Sequence, residues 1–136
     1  MKYIVVGCGR VGSELANRLA AAGHDVCVVD QEGTSFHNLS PSFRGRTIEG
    51  EVLDRQVLRR AGIEDADAVV VSTDGDNTNI VVGQVAQKRF GIQCVVVRLL
   101  DPARAEFYAT QGMRTVCPTS NAIDVLMETV RTCEVS

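Results

Sequence analysis

The chain has 136 residues, 45% hydrophobic and 23% charged, with a formal net charge of −3, which suits one globular domain spanning residues 1–136. The slight acidic excess leaves no basic surface to hold nucleic acid or an anionic membrane by charge alone, and no apolar run approaches the ~18 residues a membrane helix needs. Five cysteines show neither CxxC spacing nor a histidine partner in a ligand pattern, and their odd number argues against a disulfide framework.

Lys2–Val6 reads as a first strand entered at once, without a signal-peptide layout, so a cytoplasmic protein is expected. Val11, Leu15, Ala16, Leu19 and Ala20 recur at helical spacing, and Gly23 can close that helix. Asp25–Asp30 is a second strand. A weak helix or loop follows through Glu32–Leu39, and Arg46–Glu49 is a short third strand. Asp54 can cap a helix carrying Val57, Leu58 and Ala61, stopped by Gly62. Ala68–Ser72 is a fourth strand, apolar like one buried on both faces. Asp76 is placed to cap a helix carrying Ile80, Val81, Val85 and Ala86, and Cys94–Leu99 is a fifth strand. Asp101 and Pro102 suit an N-cap and first helical residue. Thr115–Cys117 is a sixth strand, and Thr119–Thr132 a last helix with Ala122, Ile123, Leu126 and Val130 on one face.

Strand and helix alternating in this way predict an α/β fold: a doubly wound parallel sheet of about six strands, in the order 3-2-1-4-5-6. No linker or low-complexity stretch divides it.

The most informative motif is Gly7-Cys8-Gly9-Arg10-Val11-Gly12. It follows an apolar strand, opens an amphipathic helix and precedes an acid, Asp30, at the end of the second strand, the context a nucleotide-binding glycine loop requires. Gly7 permits the tight turn, Gly9 lets backbone approach a phosphate, and Gly12 lets helix and strand pack closely. Amide groups at the helix start, with the helix dipole, then meet the phosphate. Arg10 is a candidate for reaching the phosphates. Asp30 is expected to accept from ribose hydroxyls. A carboxylate there repels a 2′-phosphate, and Gln31 rather than an arginine follows, so NADP is disfavoured. Thr73 and Asp74 fall at the carboxyl end of the fourth strand, beside the switch point where ligands bind, and Asn79 lies one turn on. Cys8, at a helix start, is placed for a lowered pKa, yet no His or second Cys accompanies it. No nucleophile–base pair or paired carboxylate motif suggests turnover.

These residues, taken together, resemble the N-terminal domain of the regulators of potassium conductance, the Trk/Ktr-type potassium-uptake and channel regulators. The resemblance covers nearly the whole chain. It rests on Ile4 through Gly12, Gly23-His24-Asp25-Val26 leading to Val29-Asp30, Gly50-Glu51-Val52-Leu53-Asp54 and Leu58 through Ile63. It continues through Ala66 to Val70, Thr73-Asp74 followed by Asn79, Gly112-Met113-Arg114 and Val116-Cys117-Pro118. It implies a turn beside the adenine at Gly50, Glu51 and Val52, where the family's acid is shorter than Glu51. It also implies a basic position at Arg98 near the ligand or a dimer contact. The ligand implied is an adenine nucleotide: NAD, NADH, ATP, ADP or AMP. The implied partners are a second copy, as a homodimer or larger homo-oligomer, and a membrane-embedded potassium transporter or channel subunit whose gating the domain controls without being an enzyme. Family members commonly carry a further C-terminal domain, so a stand-alone regulator and a fragment are both expected forms. The alternative is the cofactor-binding fragment of an NAD-dependent dehydrogenase, which the glycine loop and Asp30 serve equally well but which needs a substrate domain and an acid–base residue.

Overall fold

Runs rich in valine and isoleucine become six parallel strands in the computed structural model, which describes residues 1–134. They are β1 (Lys2–Val6), β2 (Asp25–Asp30), β3 (Arg46–Glu49), β4 (Ala68–Val71), β5 (Cys94–Arg98) and β6 (Arg114–Val116). The helices are α1 (Arg10–Ala21), α2 (Arg55–Arg60), α3 (Asp76–Lys88), α4 (Pro102–Thr110) and α5 (Pro118–Arg131), with a 3-10 turn over Gly33–Asn38. The sheet order is β3-β2-β1-β4-β5-β6, as the alternation predicts. The order reverses between β1 and β4, leaving a crevice at their carboxyl ends.

Alternate residues of each strand point to opposite faces. Ile4, Val6, Cys27, Val29, Val69, Val71, Val95 and Val97 share one face, buried with Val57 and Leu58 of α2 and Ile80, Val82 and Ala86 of α3. Val5, Val26 and Val28 share the other, buried with Ala16 of α1. This second face is roofed only on one side. Val5 pairs with Val70, and Val70 with Val96, yet Val70, Cys94, Val96 and Arg98 are only half-buried.

The last helix forms, but its apolar stripe packs against nothing described: no residue of α5 is buried, and Ile123, Leu126 and Val130 are 50–63% exposed. It leaves an edge strand, and no further strand among the described residues draws it back across the sheet. Two smaller expectations also change. Val81 points outward from α3 at 44% exposure, while Asn79, Ile80, Val82, Gly83 and Ala86 are buried. Asp76 does not cap α3, whose N-cap is Gly75. Its carboxylate instead accepts from the amides of Leu100 at 2.8 Å and Asp101 at 3.0 Å, tying the start of α3 to the start of α4. Asp54 and Asp101 do cap their helices, accepting from Gln56 at 2.8 Å and Ala103 at 3.1 Å. The strand ends shift by a residue: β4 stops at Val71, β5 at Arg98, and β6 runs over Arg114–Val116.

Candidate functional site

A cavity of about 270 Å³ opens at the carboxyl ends of β1, β2 and β4. Its first wall is the glycine loop. Gly7 adopts φ +104° and donates its N–H to Val29 O at 2.8 Å, which pins the turn to β2. A Cβ on Gly7 would lie 2.5 Å from the Ser72 carbonyl oxygen, and one on Gly12 would lie 2.0 Å from the Gly7 carbonyl oxygen. Both positions therefore exclude any side chain, whereas Gly9 has nothing within 4 Å of its hypothetical Cβ. Gly9 is the N-cap of α1 and offers no side-chain cap. The first amides of α1 accordingly lack intrahelical partners and point toward an incoming anion.

Asp30 forms the second wall. One carboxylate oxygen accepts from the Cys8 amide and the other from the Glu32 amide, each at 2.8 Å. These bonds fix the carboxylate between loop and strand, and each oxygen keeps a lone pair for a ligand hydroxyl. The Cys8 carbonyl accepts from Asn38 Nδ2 at 3.0 Å. Burial, and secondarily the Asp30 charge, push the Cys8 thiol up to about 11. The helix start does not lower it, because the thiol is wholly buried in the apolar cluster of Val5, Ala16 and Val28. It is held as the protonated thiol, opposite to what a reactive cysteine requires.

The third wall comes from Ser72, Thr73, Asp74, Gly75 and Thr78. It is held from behind by Asn79, which is 1% exposed. Asn79 Oδ1 accepts from the amide and hydroxyl of Thr73, and its Nδ2 donates to the carbonyls of Thr73 at 3.0 Å and Arg98 at 2.8 Å. Arg98 Nη2 donates to the same Thr73 carbonyl at 2.8 Å and lies 3.8 Å from the exposed Asp74 carboxylate.

Of the residues expected at the site, Gly7, Cys8, Gly9, Asp30, Gln31, Val52, Thr73 and Asp74 line the cavity. Arg10 and Val11 are exposed at the start of α1. Gly12 acts behind the loop. Gly50 donates its amide to Asp30 O at 3.1 Å and packs on Val57, with Glu51 exposed beside it. Asn79 and Arg98 stand behind the third wall rather than in the cavity lining. Glu32, Ser35, Ser72, Gly75 and Thr78 also line it and were not singled out from sequence. The usable signal was position: Glu32 and Ser35 follow the Asp30 strand end, and Ser72 is the residue that leaves β4 at the switch point.

The lining includes the carboxylates of Asp30, Glu32 and Asp74 and no Lys or Arg. Anion recognition thus falls on backbone amides, with Arg10 as a nearby exposed cation. The arrangement suits a phosphate at the loop and a hydroxyl-bearing sugar at Asp30. Among the described residues, no group of three His, Cys, Asp or Glu could hold a metal ion, and no helix is long and apolar enough to cross a membrane.

Residues 3–119 match the model of the TrkA-N domain family. The chain is 47% identical over 116 residues to the Trk system potassium uptake protein TrkA of Streptomyces coelicolor, covering 85% of this chain and 52% of that protein. The chain therefore spans about half the length of that curated relative. Among solved structures, it superimposes on the TrkA-N domain of the inner membrane protein ybaL from Escherichia coli with a TM-score of 0.82 at 18% identity, over 94% of this chain and 95% of that one. It also superimposes on the Shewanella denitrificans Kef CTD in AMP-bound form with a TM-score of 0.81 at 20% identity, over 100% of this chain and 84% of that one. These likenesses carry the fold.

Proposed function

Because the chain belongs to the TrkA-N domain family, we propose that it is the adenine-nucleotide-sensing domain of a potassium-uptake system, working in the cytoplasm and gating a membrane-embedded potassium transporter or channel subunit. The observation that carries this reading is the cavity itself. An uncapped helix start and a loop kept open at Gly7 and Gly9 face a fixed carboxylate across a space of about 270 Å³, which is the geometry for phosphate and ribose together. The match to a Trk potassium uptake protein supplies the transport context, and the AMP-bound Kef CTD supports a nucleotide of the adenine class.

The domain binds rather than turns over its ligand. Cys8, the only thiol in the cavity lining, is held protonated by its burial and by the neighbouring Asp30 charge. Asp30 favours a free 2′-hydroxyl over a 2′-phosphate, so NAD, NADH, ATP, ADP and AMP are the candidates and NADP is disfavoured. Signalling runs through assembly. Ile123, Leu126 and Val130 on α5 and the half-open sheet face over β4 and β5 give a homodimer its apolar contact, and nucleotides that favour one dimer arrangement over another bias the transporter.

The test is the melting temperature with saturating AMP, ADP, ATP, NAD, NADH and NADPH, each in turn. A ligand at 100 times its Kd adds about 2.7 kcal/mol, a rise of roughly 5–15 °C. At least one nucleotide with a free 2′-hydroxyl is expected to raise it while NADPH does little. No shift with any of them refutes nucleotide sensing.

A further inference from the structure

A second cavity, of about 530 Å³, lies between α1 and the loop that leads into β3. It shares no lining residue with the nucleotide cavity. One wall is a helix face: Glu14, Asn17 and Arg18 stand at i, i+3 and i+4 of α1, so they project together. The other wall is a tight turn with Pro41 and Ser42 at its corner, closed by the Phe43 amide donating to Ser40 O at 2.9 Å. The Ser40 amide donates to Asn17 Oδ1 at 3.0 Å, which fastens the turn to the helix. Phe43 packs against the cluster of Val5, Val26 and Val28, and with Ala20 and Ala21 it gives the cavity its apolar part.

The polar groups here are mostly donors, the reverse of the carboxylate-lined nucleotide cavity. Arg18 and Arg44 both line the space, and Arg44 is exposed and forms no ion pair among the described residues. The single acid, Glu14, accepts from Arg18 Nε at 3.0 Å, which leaves both Nη groups of that guanidinium for a ligand. The Ser40 and Ser42 hydroxyls are 2.9 Å apart, and Ser40 Oγ also accepts from the Ser42 amide at 3.2 Å. One hydroxyl proton joins that pair and the other is free to donate outward. Two planar forks and a hydroxyl offer more donors than the two oxygens of a carboxylate use, and they suit the three terminal oxygens of a phosphate. From this donor set we propose that the cavity binds a small soluble phosphomonoester. Arg18, Arg44 and the serine pair hold its phosphate, and its organic part lies on Ala20, Ala21 and Phe43. The site stands on residues outside the nucleotide cavity, so it holds or fails independently of the nucleotide reading.

Amide NMR spectra test this residue by residue. The chain is titrated with phenyl phosphate, inorganic phosphate and phenol, with ionic strength held constant by chloride because exposed charges are screened by salt. Phenyl phosphate is expected to move the amides of Asn17, Arg18, Ser40, Ser42, Phe43 and Arg44 saturably, inorganic phosphate to move them with lower affinity, and phenol to leave them in place. Arg44→Gln removes one charged donor from an exposed position, so the melting temperature holds while affinity for phenyl phosphate falls about tenfold. Shifts that never saturate overturn the proposal, as does undiminished affinity in Arg44→Gln. Saturable shifts confined to Gly7 through Gly12 also overturn it, since the phosphate then goes to the glycine loop alone. Phenol binding as tightly as phenyl phosphate removes the role of the arginines, and inorganic phosphate binding without phenyl phosphate marks an adventitious ion only; either result overturns the phosphomonoester site.

Discussion

Gly9→Ala tests whether a phosphate really passes over the glycine loop. Gly9 sits at φ −78° and ψ −159°, a backbone that alanine adopts freely, and nothing lies within 4 Å of the added Cβ. Folding therefore tolerates the change. Replacing a glycine at a compatible position stabilises by ~0.4–1 kcal/mol through the unfolded chain. An unfolding entropy of ~2.1 cal/mol/K per residue gives ~0.29 kcal/mol/K for a chain of this length, so the unliganded Tm rises by about 1–3 °C. The methyl group occupies the space a phosphate oxygen needs against the amides of α1. The ligand-induced shift, ~9 °C for a nucleotide at 100 times its Kd on the same scale, falls to about 1 °C or less. Differential scanning fluorimetry with and without nucleotide reads both numbers. Gly12→Ala is the contrast: its Cβ would lie 2.0 Å from the Gly7 carbonyl oxygen, so helix and loop must part, and the unliganded protein loses ~1–3 kcal/mol or more. A Gly9→Ala chain that melts no lower and keeps the wild-type nucleotide shift would refute the placement of phosphate over this loop.

Asn79→Asp keeps the size of the side chain but turns the donor facing the Thr73 and Arg98 carbonyls into an acceptor. Urea unfolding is expected to show a loss of ~3 kcal/mol or more, with Asn79→Ala losing less. Cys8 gives a pH signature. Its folded pKa of about 11 exceeds the ordinary 9.0, so the folded state holds the proton more tightly. That contribution is complete below pH ~9 and is lost as pH rises toward ~11. Wild type should lose stability across that window relative to Cys8→Ala, as read by urea unfolding at fixed pH values. Leu126→Glu, on the exposed stripe of α5, should convert the dimer to a monomer in sedimentation without lowering the monomer's melting temperature. A wild type already monomeric at high concentration contradicts that use of α5.

What the sequence made legible was local. Gly7 through Gly12 are close in the chain, and Asp30 ends the strand that register places beside them, so spacing alone brought the glycine turn and its acid to one cavity. The strand order followed from alternation and crossover handedness. Contacts made across the topology were not legible. Asp76 looks like a cap from its neighbours, but its carboxylate is claimed by Leu100 and Asp101 amides brought near by α3 and β5. Ser72 and Gly7 are distant in the chain and meet only because β4 lies against β1. On α5, periodicity correctly gave an amphipathic helix but carried no information about the surface that stripe meets. For Cys8 the helix start alone pointed to a low pKa, the missing His or second Cys argued against a reactive thiol, and the depth of its burial settles the direction upward.

The uneven roofing of the sheet has a consequence for how the molecule breathes. Hydrogen bonds of β1 are flanked by β2 and β4 and covered on both faces, so their amides open only with the whole domain. Those of β6 lie at the sheet's edge, with Arg114 and Val116 exposed and the roof missing over its neighbour, so they open in small local excursions. Deuterium should therefore enter as a gradient, fastest at β6 and α5 and slowest at β1. Any copy or partner that settles on the bare side would announce itself by flattening that gradient from the β6 end.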